Sequence, residues 1–131
     1  MGQEIFSILL VDDEKNERKG IEKLIQKNGY PLEIFQAENG IEALKIFKNR
    51  KIDILLTDIK MPFMDGLSLS KIVSKEFPRM KIIIISGYDD FEYARQAIEV
   101  GVDQYLLKPV TRMKLKNVLL ELKDKIEQDQ E

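Results

Sequence analysis

Neither cysteine nor histidine occurs among the 131 residues. The first absence excludes disulfides and thiolate metal sites. The second excludes His-ligated zinc and a Ser-His-Asp triad. Any metal site in this chain must therefore be made of oxygen ligands, which suits magnesium, calcium or manganese. An excess of charge is lacking too. The 21 basic and 23 acidic residues leave a net charge of -2, so charge alone makes no case for nucleic acid or lipid. No apolar run approaches the length needed to cross a bilayer. A basic region followed by an apolar signal stretch is missing from the N-terminus. The expected compartment is the cytoplasm, with no membrane partner. Internal repeats, low-complexity segments and linkers are also absent.

What is present suffices for one domain with a single core. The apolar fraction of 44% is ordinary for a globular chain. Short apolar runs alternate with longer segments of helical period, the pattern of an α/β domain with a parallel sheet. Strands are expected at residues 5–11, 32–38, 52–57, 82–85 and 103–107. The helix between the first two runs from about Lys15 to Asn28, with Ile21, Leu24 and Ile25 inward and Gly29 as its stop. Asn39 suits the cap of the next, whose inner face is Gly40, Ala43, Leu44 and Phe47. A third helix turns Leu69, Ile72 and Val73 inward and is closed by Pro78. The fourth, capped by Asp89 or Asp90, carries Phe91, Ala94 and Ile98 on one stripe and ends at Gly101. The last begins near Thr111 and uses Leu115, Val118, Leu119, Leu122 and Ile126. Residues 1–127 form the domain, and 128–131 are expected to fray or begin a linker.

Four isoleucines at 82–85 make a strand apolar on both faces, which belongs in the middle of a covered sheet. The second and fifth strands are more polar and belong at the edges. Right-handed crossovers then give a flavodoxin-like, doubly wound (βα)5 sandwich with strand order 2-1-3-4-5. In that order the chain reverses between the first and third strands, where ligands of open α/β sheets bind. The strand ends at this edge are polar: Asp12-Asp13 after the first, Asp58 after the third, Ser86 after the fourth and Lys108-Pro109 after the fifth.

Three clustered carboxylates repel one another, by roughly 4 kcal/mol for a pair about 4 Å apart at an effective dielectric near 20. They call for a cation or for partial protonation. Magnesium fits best, since it accepts a few carboxylates together with waters and phosphate oxygens. A carboxylate can also attack phosphorus and form an acyl phosphate. Asp58 is the better candidate for that role, because it stands alone while Asp12 and Asp13 are paired to hold metal. Lys108 can neutralise a phosphoryl oxygen, Ser86 can donate to another, and Gly87 leaves open space beside it. Each residue alone has a blander explanation. Paired acids after a strand usually cap a helix, an aspartate in a Pro- and Gly-containing loop usually makes a turn, a serine at a strand end usually caps the next helix, a lysine before proline is usually solvated, and Tyr105 is a typical half-buried edge aromatic. Their joint placement at one sheet edge is much harder to obtain from such explanations.

At these residues the chain resembles the receiver domain of bacterial two-component response regulators, over essentially its whole length. The matching segments are Val11-Asp12-Asp13-Glu14, Asp58-Ile59-Lys60-Met61-Pro62 with Met64-Asp65-Gly66, Ser86-Gly87, and Lys108-Pro109. The resemblance implies that Asp58 accepts a phosphoryl group from a sensor histidine kinase. It implies direct magnesium ligation by Asp13 and Asp58, with Asp12 acting mainly through water and the Lys60 backbone carbonyl completing the set; Mn2+ is an alternative ion. Ser86 and Tyr105 would be the switch pair, the Lys108-Pro109 bond cis, and Lys60 and Tyr88 the residues that tune acyl-phosphate lifetime. Self-catalysed phosphotransfer and dephosphorylation, rather than conventional enzyme activity, follow from the same resemblance. The stretch from Ser86 to Ala94 is similar to receivers fused to an arabinose-regulator-type (AraC-type) helix-turn-helix domain. Such a DNA-binding half is not in this chain, so DNA would be reached only through it. Phosphorylation is expected to shift a two-state equilibrium, read out on the face from Asp90 to Lys123, through which a homodimer would form. Phe63 stands where the family is variable or often glycine. A pseudo-receiver would lack one of the acids or the lysine. A flavodoxin would need a Ser/Thr/Gly-rich loop in place of Asp12-Asp13-Glu14-Lys15. A dehalogenase-like phosphatase would need an aspartate where Lys60 stands.

Overall fold

The computed structural model describes residues 5–29, 31–87 and 91–129. Strands and helices alternate along the chain: β1 (Phe6–Val11), α1 (Lys15–Asn28), β2 (Leu32–Ala37), α2 (Gly40–Asn49), β3 (Ile54–Asp58), α3 (Gly66–Glu76), β4 (Lys81–Ser86), α4 (Phe91–Val100), β5 (Gln104–Leu107) and α5 (Arg112–Asp129). The strands form one parallel sheet in the order β2-β1-β3-β4-β5. This is the flavodoxin-like arrangement, and the strand alternation explains its two cores. Leu9, Val11, Leu55, Ile82 and Ile84 face α2, α3 and α4 through Ala43, Phe47, Leu69, Val73 and Ala97. Ile8, Leu10, Leu56, Ile83 and Ile85 face α1 and α5 through Ile25, Leu115, Leu119 and Leu122. Burying each isoleucine of β4 contributes about 1.5–3 kcal/mol, so the central strands anchor the platform beneath the site. β2 and β5 are only partly buried, as edge strands should be.

Local signals begin and end the helices. Gly29 takes φ 73° at the C-cap of α1, and its N–H donates to the Gln26 carbonyl. The Asn39 side chain accepts from the Glu42 N–H at 2.9 Å and caps α2. Asp65 caps α3 in the same way through the Ser68 N–H.

Three features depart from expectation, and α4 settles a point that spacing left open: Phe91 and Ile98 share a stripe that faces outward, with exposures of 81% and 78%. α4 instead buries Ala97 and packs Tyr93 on the core. Both stripes have helical spacing, so periodicity alone cannot choose between them. The small Ala97 is the residue sealed against the sheet. α5 stays helical to Asp129, where fraying was expected after residue 127; Asp129 pairs there with Lys81 at 2.6 Å. Asp103 lies outside β5, and its carboxylate accepts the Ile82 N–H at 2.8 Å, replacing a backbone partner at the strand's start. Ile72, Leu44, Ile21 and Leu24 are only half-buried. The cap expected at Asp89 or Asp90 lies outside the described residues.

Candidate functional site

β1 and β3 are neighbours in register, with Val11 beside Thr57. Their next residues, Asp12 and Asp58, therefore leave the sheet side by side. Asp58 itself pairs with Ile85, which puts Ser86 one step further along β4. Ser86 in turn pairs with Leu107, and its carbonyl accepts the Lys108 N–H at 2.8 Å. Parallel pairing alone thus brings four strand ends to one corner. The Lys108–Pro109 peptide there is cis.

Asp12, Asp13 and Asp58 each offer a carboxylate oxygen, and these oxygens lie within 4.8 Å of one another. Asp58 Oδ1 accepts from the Ile59 N–H at 2.9 Å, while Oδ2 stands 3.6 Å from Lys108 Nζ. The Lys108 ammonium also lies 3.9 Å from Glu17 of α1. Asp12 is nearly buried, and its Oδ1 accepts from the Glu14 N–H at 2.9 Å. Neither acid of the pair caps α1; Glu14 occupies that position and makes no side-chain cap bond. Asp13 projects into solvent.

The electrostatics match an acidic pocket short of positive charge. Burial pushes the Asp12 carboxyl up to about 6, despite the Glu14 N–H that lowers it, and the Asp58 carboxylate adds to the rise. Burial also raises Asp58, although Lys108 and the Ile59 N–H pull it down. Desolvation works against the charge on Lys108, but Asp58, Glu17 and Asp12 together hold its pKa above the usual lysine value. Two carboxyls held above their ordinary range beside one ammonium, with only oxygen donors at hand, fit a hard divalent cation.

The Asp58 loop is held by its backbone. The Thr57 hydroxyl donates to the Asp58 carbonyl at 2.9 Å. The Gly66 N–H donates to the Ile59 carbonyl at 2.7 Å, closing the loop onto the start of α3. Lys60 is exposed in this loop, and its ammonium lies 5.7 Å from the centre of the Tyr93 ring on α4. Phe63, further along, is 84% exposed at φ 72°. Ser86 is fully buried. Tyr105 packs on the core beneath α4, and its buried hydroxyl has no partner among the described residues. A methyl at Gly87 would meet only Lys108 Cδ, at 3.7 Å, so the space there is ordinary rather than critical. Tyr88 lies outside the described residues.

The structure thus unites Asp12, Asp13, Asp58 and Lys108. Two further residues at the corner were not anticipated. Glu17 reaches Lys108, and Arg18 is buried with its guanidinium on the Asp12 carbonyl. Their signal was the helical lean of long side chains toward the N-terminus, which carries a residue of the first turns of α1 back over the strand end. A cavity of about 690 Å3 opens beside them between α1 and the Lys108-Pro109 turn.

Fold and site together define an α/β domain with an acidic, cation-seeking pocket at the switch point of its sheet. The chain belongs to the response regulator receiver domain family, whose model matches residues 8–120. It is 38% identical over 124 residues to YesN of Bacillus subtilis, an uncharacterised transcriptional regulatory protein, covering 91% of this chain and 34% of YesN. The chain therefore spans about a third of that relative. The REC domain of AraT, a response regulator from Geobacillus stearothermophilus, is 40% identical with a TM-score of 0.88, covering 98% of this chain and all of that domain. The response regulator TrrA of Thermotoga maritima, solved with Mg2+ and BeF, is 33% identical with a TM-score of 0.80, covering 89% of this chain and 98% of its own. No described helix is long and apolar enough to cross a membrane.

Proposed function

We propose that this receiver domain is the phosphorylation switch of a two-component system in the cytoplasm, with Asp58 as phosphoacceptor and a sensor histidine kinase as donor. The observation that carries the reading is the oxygen cluster of Asp12, Asp13 and Asp58 with Lys108 Nζ 3.6 Å from Asp58. Asp12, Asp13, Asp58 and the Lys60 backbone carbonyl would hold magnesium, with Mn2+ as a substitute. Those residues would hold the ion, which would supply positive charge to offset the carboxylates and the incoming phosphoryl group.

The Asp58 carboxylate attacks phosphorus, and the bond from phosphorus to the donor imidazole nitrogen breaks. Its electron pair stays on that nitrogen, and an acyl phosphate forms. The Ile59 N–H fixes the carboxylate's orientation before attack. Lys108 meets a phosphoryl oxygen as a point charge. Hydrolysis reverses the state: water attacks phosphorus, inorganic phosphate leaves and the carboxylate is restored. Lys60 and Tyr88 would set how fast this occurs.

Ser86 would donate to the phosphoryl group and Tyr105 would follow it inward, shifting a two-state equilibrium toward the face from Asp90 to Lys123. The outward Phe91 and Ile98 on that face support a homodimer contact. The output would be transcriptional, as the name of YesN suggests, through an AraC-type DNA-binding domain outside this chain, a reading supported by the likeness to a two-component transcriptional regulator AraC of Clostridium phytofermentans.

Acetyl phosphate with magnesium should add one phosphoryl group, seen as a single mass increment. EDTA or Asp58→Asn should abolish it. Unchanged labelling of Asp58→Asn overturns the assignment.

A further inference from the structure

Arg18 is only 7% exposed, although arginine is among the side chains least often buried. Among the described residues it makes no ion pair. Its donors go instead to neutral acceptors. Nη1 donates to the Asp12 backbone carbonyl at 2.5 Å, and Nε donates to Gln36 Oε1 at 3.0 Å. Gln36, on β2, donates onward to Glu22 Oε2 at 3.2 Å, and Glu22 lies one turn beyond Arg18 on α1. The guanidinium is thus braced by a loop of contacts that runs from α1 to β2 and back.

The acceptor at the end of this loop is informative. The Asp12 carbonyl belongs to the peptide unit that joins Asp12 to Asp13. The Asp12 N–H is already fixed by the Ala37 carbonyl at 3.2 Å, and its side chain by the Glu14 N–H. Holding the carbonyl as well sets the plane of the next peptide, and that plane fixes the N and Cα of Asp13 from which its side chain departs. Asp13 is exposed, and its own carboxylate accepts no hydrogen bond from the described residues. Its aim at the cluster therefore depends on the backbone that carries it.

We propose that Arg18, braced by Gln36 and Glu22, is a positioning residue for cation binding, acting through the Asp12 carbonyl to aim Asp13. The proposal rests on the acidic cluster being a magnesium site. Outer contacts that orient metal ligands typically control about 10–100-fold in affinity. A merely structural role, fastening α1 to the sheet, would lower stability and leave the affinity of the folded protein unchanged.

Magnesium titration calorimetry on the whole chain separates these outcomes. Arg18→Met keeps apolar volume but removes both donors, and it should raise the magnesium Kd by about 10-fold or more. Arg18→Lys restores charge without the planar fork and should recover only part of the loss. Gln36→Met frees the guanidinium from its brace and should weaken binding by less than Arg18→Met. Leu122→Ala, on the far part of α5, should lower the urea midpoint while keeping the wild-type Kd. A folded Arg18→Met with a Kd within about twofold of wild type overturns the proposal. So does a Leu122→Ala Kd that rises as much as that of Arg18→Met. If Arg18→Met does not fold, an unchanged Kd in Gln36→Met overturns it. A wild-type protein that binds no magnesium overturns the site itself, and the positioning role with it; a wild type that binds normally beside an unaffected Arg18→Met overturns the positioning role alone.

Discussion

Gly66 is the residue on which the Asp58 loop closes, and replacing it with alanine should damage fold and site together. A Cβ at Gly66 would fall well inside contact distance of the Asp58 carbonyl oxygen. It would also stand 3.0 Å from the Asp58 carbonyl carbon and 3.1 Å from Ile59 Cα. All three are main-chain atoms at the end of a central strand, so no side-chain rotation relieves the clash. The hydrogen bond from the Gly66 N–H to the Ile59 carbonyl, at 2.7 Å, holds the two segments together from the same side. Either α3 or residues 58–59 must move by on the order of 1 Å, and overpacking of this kind costs about 1–3 kcal/mol. With an unfolding entropy of about 2.1 cal/mol/K per residue, each kcal/mol shifts Tm of a chain this size by about 4 °C. Gly66→Ala should therefore melt about 4–11 °C lower by scanning calorimetry.

The same movement displaces Asp58 and the Lys60 carbonyl, and a shift of about 1 Å at a reacting group can cost about 100-fold in rate. Labelling by acetyl phosphate should fall accordingly. Gly20→Ala supplies the contrast. Gly20 sits inside α1 with nothing within 4 Å of an added Cβ. There the same substitution should stabilise by about 0.5–1 kcal/mol, because glycine is the costlier residue in a helix. Opposite signs at the two glycines are the signature. A Gly66→Ala protein that melts with wild type and labels at the wild-type rate refutes the steric argument.

Acidity should act in opposite directions on the metal-free fold and on metal binding. Because burial holds Asp12 at about 6 in the fold against 3.8 for an unperturbed aspartate, the folded state binds the extra proton between those values. The contribution of Asp12 to stability in EDTA is then greatest below about pH 4 and is lost as pH rises through about 6, by roughly 1–3 kcal/mol, and the difference between wild type and Asp12→Asn in urea titrations follows it. Magnesium competes with that proton, so its affinity should weaken below about pH 6; a flat affinity from pH 7 to 5 contradicts the burial of Asp12. Lys108→Met removes the cation 3.6 Å from Asp58. Labelling should slow by on the order of 10-fold or more, while calorimetry should show equal or tighter magnesium binding as a competing charge is lost. Phe63→Gly exchanges a strained left-handed residue, worth about 1–2 kcal/mol, for glycine's entropy cost of about 0.5–1 kcal/mol. Its urea midpoint should stay level or rise, and a clear fall would mean that the exposed ring stabilises the loop.

The architecture was legible because the central strands are short apolar runs with polar flanks. Ile82 to Ile85 announced a strand covered on both sides, and its four side chains do divide between the two cores. Strand order followed from the polarity of β2 and β5, and the order carried Asp12, Asp58, Ser86 and Lys108 to one corner without any knowledge of side-chain contacts. Arg18 was not legible in the same way. Its role depends on which carbonyl lies under the second turn of α1, and on Gln36 from a different strand. Neither is encoded in local spacing.

α4 shows what pattern alone leaves open, namely which of two stripes turns inward. Phe91, Ala94 and Ile98 form the more apolar stripe, and burial by hydrophobicity alone would turn them inward. Tyr93 and Ala97 are turned inward instead. The sheet edge beneath α4 is already occupied by Tyr105 and Val102, so a small residue is what permits close approach. Tyr93 then lies within cation–π reach of Lys60 in the Asp58 loop. The inward stripe thus ties α4 to the loop that would sense phosphorylation, while the outward one is left for a partner. A helix whose larger apolar residues face water departs from local consistency, and such departures are expected at surfaces that serve function rather than stability.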